Sequence, residues 1–422
     1  MLCFLLSTVK PPDEHKSHLA TLLHLLHSPF PHLFNFHLCY LANGKNQRHP
    51  IREIWEIIKN NSMTSSSSSI SSLALVVFLF LLGTQLDFCS SHGSYPSNFI
   101  TWEDLKVEQP RGKMNLNDGD NSSRVIVVSK DGRGDSVTVQ GAIDMVHDYN
   151  TKRVKILILS GVYRERVFVP RTKPYISFIG KQRSQTVISW NTKASDKKPN
   201  GQEIGTYDTA TVAVESDYFC ATEITFENTV VAEPGKEGNQ AVALRVSGDK
   251  SMFFRIRVLG SQDTLLDDRG THYFYQCYIQ GTVDFIFGEA RSLYQDCTLH
   301  STAKQFGAIA ASHRNFENEK AGFSFVNCRV KGTGSIYLGR AWGTYSRAVY
   351  SYCDLDGIIN PLGWSDWGDP SRRRTVQFGE YKCRGEGANS RGRVPWLKTF
   401  NYEQARPFLD RTYIDGDQWL KL

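Results

Sequence analysis

Two aspartates, Asp263 and Asp284, each stand three residues after a glycine that closes a short apolar run, Gly260 in IRVLG and Gly281 in CYIQG. If those runs are successive strands of one sheet, the two carboxyls occupy equivalent places about 4.8 Å apart. Like charges that close cannot both ionise comfortably. One acid is therefore expected to keep its proton near neutral pH while the other serves as nucleophile or base. Gln262 precedes the first aspartate and Gln240 opens the earlier stretch AVALRVSG, so two amides are placed to donate to a developing oxyanion. Arg340, in YLGRAW, offers a fork that can hold one carboxylate ionised and oriented. Trp342 and Phe287 are suited to an apolar platform for a sugar ring or an ester methyl. The plainer alternative is that both aspartates cap turn amides and both aromatics belong to the core.

The elements that must position these residues are short. Residues 124–357 are filled by β-rich runs such as RVIVV, VKILIL, YISFIG and ATVAVES, separated by Gly, Asn and Asp turns and without long amphipathic helical patterns. A five-residue phrase recurs: ITFEN at 224–228, IRVLG at 256–260, CYIQG at 277–281, CTLHS at 297–301, CRVKG at 328–332 and CDLDG at 353–357. The starts are 32, 21, 20, 31 and 25 residues apart, the spacing of a β-solenoid with variable loops. Matching positions in such a coil stack inward as ladders. Cys277, Cys297, Cys328 and Cys353 are then expected to be small core residues, with a Cys277–Cys297 bridge as the alternative.

Five segments together resemble plant pectin methylesterases: GVYRE (161–165), QAVALRVSG (240–248), GSQDTLL (260–266), GTVDFIFG (281–288) and YLGRAWG (337–343). They occur in that family's order, and the similarity covers roughly residues 122–422. The resemblance implies an all-β fold, a right-handed parallel β-helix. It also implies hydrolysis of galacturonate methyl esters in pectin to methanol and acidic pectin, with no cofactor and no metal. By motif it makes Asp284 the nucleophile, Asp263 the general acid and base, and Gln240 and Gln262 the oxyanion donors. Arg340 becomes the orienting arginine, and Trp342 and Phe287 contact substrate together with Gln240 and Arg340. Thr206, in GTYDTATVAV, matches a substrate-contact threonine. Two departures stand out. Only about forty residues separate the apolar run at 73–82 from the first strand, which points to the class without an inhibitor-like pro-domain. The segment LDDRGTHYFYQC (266–277) replaces the tyrosine and basic residues usual after QDTL, and a different cleft rim is expected from it.

The totals agree with a secreted wall enzyme. Of 422 residues 40% are hydrophobic and 22% charged, which excludes a wholly disordered chain. A net charge of +6 favours a polyanionic partner, yet no basic helix or RNA-type aromatic motif suggests nucleic acid, and the triple Arg372-Arg373-Arg374 reads as a solvated loop. The uncharged run LALVVFLFLL (73–82) is too short to span a bilayer and suits a signal-peptide core beginning at Met63. Residues 1–62 are then an unstructured upstream extension, 63–90 a signal peptide, 91–121 an arm, and 122–422 the enzyme, closed by a packing segment at 402–420. Asn121-Ser122-Ser123 is a glycosylation motif. The expected partner is methyl-esterified pectin, a proteinaceous pectin methylesterase inhibitor is a candidate second partner, no membrane contact is expected after processing, and the chain is expected to act as a monomer. Two rivals share the solenoid: a polygalacturonase or lyase, and a non-catalytic wall-binding protein. Asp267-Asp268 is similar to the hydrolase's acid pair, but neither Gly-His-Gly nor Asn-Thr-Asp accompanies it. No G-x-S-x-G elbow supports a serine esterase.

Overall fold

The structure, a computed structural model, describes residues 99–107, 123–233 and 236–422. The upstream extension, the apolar run and Asn121 lie outside the described residues. From Arg124 onward the chain winds as a parallel β-helix. Each coil contributes a strand to an eleven-stranded back face, turns a corner onto a side face, then turns again onto a third face that carries a cleft. Side and cleft faces are fused into a single fourteen-stranded sheet because two strands, Thr298–Ser312 and Arg329–Arg340, run through both.

The register reproduces the sequence repeat. Thr225, Arg257, Tyr278, Thr298, Arg329 and Asp354, the second residues of the six phrases, are direct partners in neighbouring strands. The first residues point inward, so Cys277, Cys297, Cys328 and Cys353 form a buried column, which Cys383 extends by one coil. Each thiol donates to a carbonyl of the back face, as from Cys277 Sγ to Phe253 O at 3.3 Å and from Cys297 Sγ to Phe274 O at 3.4 Å. These cysteines are free, so the Cys277–Cys297 bridge is not formed. Beside them Phe253, Phe274, Tyr294, Phe325 and Tyr350 stack with ring centroids 4.4–4.9 Å apart. Both columns follow from inward positions repeating once per coil, where like side chains pack face to face.

The back-to-side corners are sharp. Arg255, Gln276, Asp296, Asn327, Tyr352 and Lys382 all take left-handed φ of 48–56°. Such a conformation costs a non-glycine residue about 1–2 kcal/mol, a cost offset by corner hydrogen bonds from coil to coil, such as Gln276 N to Gln295 O at 3.0 Å. These six coils therefore each store a little strain at the same place.

One polar network is sealed inside. Asp267 and His272 are fully buried and joined at 2.5 Å, His272 Nε2 donates to Gly248 O at 2.8 Å, and Tyr294 Oη donates to Asp267 at 2.6 Å. Burial pushes the imidazole down, but Asp267 and the Gly248 carbonyl outweigh it and its pKa is raised. Both ring nitrogens face acceptors, so the ring is held as a cation against a carboxylate whose other oxygen is also satisfied. The expectation of a different rim over 266–277 is thereby corrected. Apart from exposed Arg269 and Gln276 and half-buried Gly270, Thr271 and Tyr275, these residues are buried, so the departure from the family pattern lies largely in core chemistry.

The C-terminal segment differs from an end closure. Phe408, Tyr413, Ile414 and Trp419 lie against the outward row Met252, Tyr273, Leu293, Val326 and Val349 of the back face. Ile100–Thr101 pairs in parallel with Leu420–Lys421, so part of the segment expected as an arm is packed into the body. An outward row this apolar has to be covered, and Ile100 and Leu105 cover it together with the C-terminal segment.

Candidate active site

Asp263 and Asp284 occupy equivalent side-to-cleft corners, and their following strands pair in register, Leu265 with Ile286 and Leu266 with Phe287. Both aspartates take left-handed backbone, with φ of 61° and 46°. The unfavourable turn aims both carboxyls out of the barrel into the cleft, strain of the kind that accumulates at functional sites. Among the described residues neither carboxyl caps a backbone amide. The turn-capping alternative is thus not what the geometry shows.

Arg340 separates the two acids chemically. Its Nε donates to Asp284 at 2.9 Å and its Nη2 donates to the second oxygen of the same carboxylate, a bidentate pair. Asp284 is buried, while Asp263 keeps part of its surface open to the cleft floor. Burial pushes Asp284 up from the usual carboxylate range and the guanidinium pulls against it. Asp263 is raised much further, by enclosure in the cleft walls and then by the charge of Asp284, with Arg340 too weakly coupled to compensate. The two acids are therefore unlike, and Asp263 is the one that keeps its proton to higher pH.

The surrounding cleft, about 390 Å³, is lined by Thr206, Gln240, Gln262, Phe287 and Trp342 in addition to the two acids and Arg340. All eight residues picked out in the sequence are thus brought together. Among the described residues neither glutamine amide has a side-chain hydrogen bond, so both remain available to a ligand. Phe287 and Trp342 lie 6.0 Å apart, and Ala210, Ala213, Val242, Leu266 and Ala311 support them from behind. Trp342 also stacks on His313 at 4.2 Å, whose Nδ1 meets Glu289 at 2.6 Å.

Two lining residues were missed, Ala311 and Trp367. The guanidinium of Arg340 sits 4.0 Å over the Trp367 ring, so this tryptophan bears on the residue that holds Asp284. A signal existed. Arg340 pairs with Ser365, which places Trp367 one coil on from Trp342, and the stretches GRAWG and WSDWG are aligned repeats. The arginine triple also needs correction. Arg372 donates to the carbonyls of Ala341 and Trp342 at 2.5 and 2.7 Å and to Asp369 at 3.1 Å, while Arg373 binds Asp366 at 2.7 Å; only Arg374 is a free solvated side chain. Arg372 thus ties the turn bearing Trp342 to the loop bearing Trp367. Arg372→Ala is expected to raise KM for polymeric substrate about fivefold with kcat within about twofold, and Arg372→Lys to restore part of the loss. A fall in kcat at unchanged KM would contradict a positioning role.

Oxyanion donors serve a carbonyl that becomes tetrahedral, as an ester does and a glycosidic acetal does not, so fold and site define an esterase of the parallel β-helix class. The pectinesterase family model matches residues 125–417. "Pectinesterase QRT1" of Arabidopsis thaliana is 62% identical over 344 residues, 77% of this chain and 90% of that protein. "Probable pectinesterase 8" of the same plant is 44% identical over 70% of this chain and 76% of its own length. Among solved structures, pectin methylesterase from carrot is 36% identical with a TM-score of 0.65, over 73% of this chain and 96% of that one. A pectin methylesterase in complex with a hexasaccharide is 26% identical with a TM-score of 0.60, over 69% and 97%. The chain belongs to the pectinesterase family.

Proposed function

We propose that the chain removes methyl esters from the galacturonan of pectin by nucleophilic catalysis at Asp284. The observation that supports this reading most is the asymmetry of the pair: an arginine engages Asp284 alone, while Asp263, without such a partner, is the acid whose pKa is raised the more. Asp284 attacks the ester carbonyl, and the amides of Gln240 and Gln262 receive the oxyanion. As the tetrahedral intermediate collapses, Asp263 gives its proton to the departing methoxide, leaving methanol and an anhydride between substrate and Asp284. Asp263, now ionised, takes a proton from water as that water adds to the anhydride. The products are a galacturonate carboxylate and regenerated Asp284. Thr206, Phe287 and Trp342 border the sugar, with one wall for its rings and another for its hydroxyls.

The chain works outside the cell, in the wall where its substrate lies, as a monomer. The same cleft is the place at which a proteinaceous inhibitor would act, because occlusion there stops turnover. Incubation with highly methylated pectin tests the function: methanol should appear while the uronic-acid chain keeps its length. Shortened or unsaturated chains would transfer the assignment to a polygalacturonase or lyase. Unchanged pectin would favour a wall-binding protein.

A further inference from the structure

The side face carries a belt of residues that the esterase reaction does not use. Arg257 and Tyr278 are direct partners on neighbouring strands; Gln280, on the strand of Tyr278, is the partner of His300 on the next, and His300 that of Lys331 on the one after. The Tyr278 and His300 rings stack with centroids 5.7 Å apart at 25°, and Arg257 lies over Tyr278 at 5.5 Å. All four of Arg257, Tyr278, His300 and Lys331 are half-exposed, and Arg329 beside them is exposed. Among the described residues, neither Arg257 nor Lys331 forms an ion pair, whereas Arg329 is only loosely paired with Asp354 at 3.5 Å. A merely solvated face would be expected to balance such cations locally. Here two flat rings lie between two uncompensated charges, over three strand steps or about 15 Å.

We propose that this belt is a second, non-catalytic binding site for de-esterified galacturonan, the acidic product of the reaction. The rings offer a stacking surface to sugar, and the cations at either end meet carboxylates. A methyl-esterified segment is neutral and gains nothing from those cations, so the belt selects chains on which the enzyme has already worked. His300 contributes as an uncharged ring, since partial burial and the neighbouring Lys331 both depress its pKa. Lys331 is the third residue of the strand Arg329–Arg340, which Arg340 ends, so belt and cleft stand on one continuous element. A chain leaving the cleft is thereby kept at the enzyme's surface. The inference rests on pectin being the substrate.

The test uses fully de-esterified polygalacturonate, which binds without being turned over, and the full chain carrying Asp284→Asn. Binding should persist in that protein. Adding Arg257→Gln and Lys331→Gln together should weaken it about fivefold and flatten its salt dependence, and Tyr278→Ala should weaken it with the charge unchanged. Lys106→Gln with Lys398→Gln, which removes the same charge elsewhere, should leave binding intact. Equal losses in the two double variants would reduce the effect to net charge and overturn the site, as would unchanged binding in the belt variants. Methanol release by the unaltered chain reads the esterase assignment separately.

Discussion

Asp284→Asn is expected to lower methanol release from methylated pectin by about 10⁴-fold or more, with the fold retained. Asparagine has the shape of the carboxylate but cannot form the acyl anhydride, so what survives is only the contribution of binding and the oxyanion amides. The structural cost is limited. Arg340 loses a buried charge partner, worth about 1–3 kcal/mol, but it keeps its stacking on Trp367 and a carbonyl acceptor at position 284. Burial of the aspartate is itself unfavourable, and its removal offsets part of that loss. The measurement is methanol production beside a thermal unfolding curve. A variant that retains a tenth of the activity with the same unfolding midpoint would remove Asp284 from the nucleophile's role.

Much of this arrangement was legible before any coordinates. The phrase aligned at ITFEN, IRVLG and CYIQG fixes a register, and a register fixes which aspartates stand side by side, because in a parallel coil position within the repeat is position in space. The cysteine column was readable for the same reason. Cys383 was overlooked because the strand after it does not form: KCRGEG turns away where earlier coils continue. Trp367 was overlooked because its coil has only a two-residue strand, Trp364–Ser365, too brief to show a period. What spacing cannot carry is direction in loops. The arginine triple looks uniform in sequence, yet one guanidinium reaches two carbonyls, one a carboxylate and one only water, because a short helical turn at Pro370–Arg374 points successive side chains apart. Likewise, residues 266–277 differ from the family pattern at positions that alternate inward and outward. Inward-facing Asp267 and His272 find each other across a corner that no local pattern reveals.

Asp263→Asn should separate acid catalysis from nucleophilic attack. Loss of the proton donor is expected to cost about 10²–10⁴-fold on methyl esters, and far less on an ester of an acidic phenol, whose leaving group needs no proton. Asp284→Asn should fail on both. The pH profile sharpens the distinction. Turnover requires Asp284 ionised, so activity rises as pH passes upward through a value lifted above the ordinary carboxylate range, chiefly by burial. It also requires Asp263 protonated, so activity falls at higher pH as that proton leaves. Asp263→Asn should abolish the falling limb and keep the rising one. Stability should respond in the opposite sense to activity. Between the unfolded pKa of about 3.9 and the raised folded value, the folded chain binds more protons than the unfolded one, so the wild type loses stability as pH climbs through that window. Asparagine cannot ionise and is spared this loss. The variant should therefore melt higher than the wild type at neutral pH, with the difference vanishing below about pH 4, where both states of Asp263 are protonated. A variant that melts lower at neutral pH would mean that Asp263 is held ionised in the native cleft, and the division of labour between the two aspartates would have to be reversed.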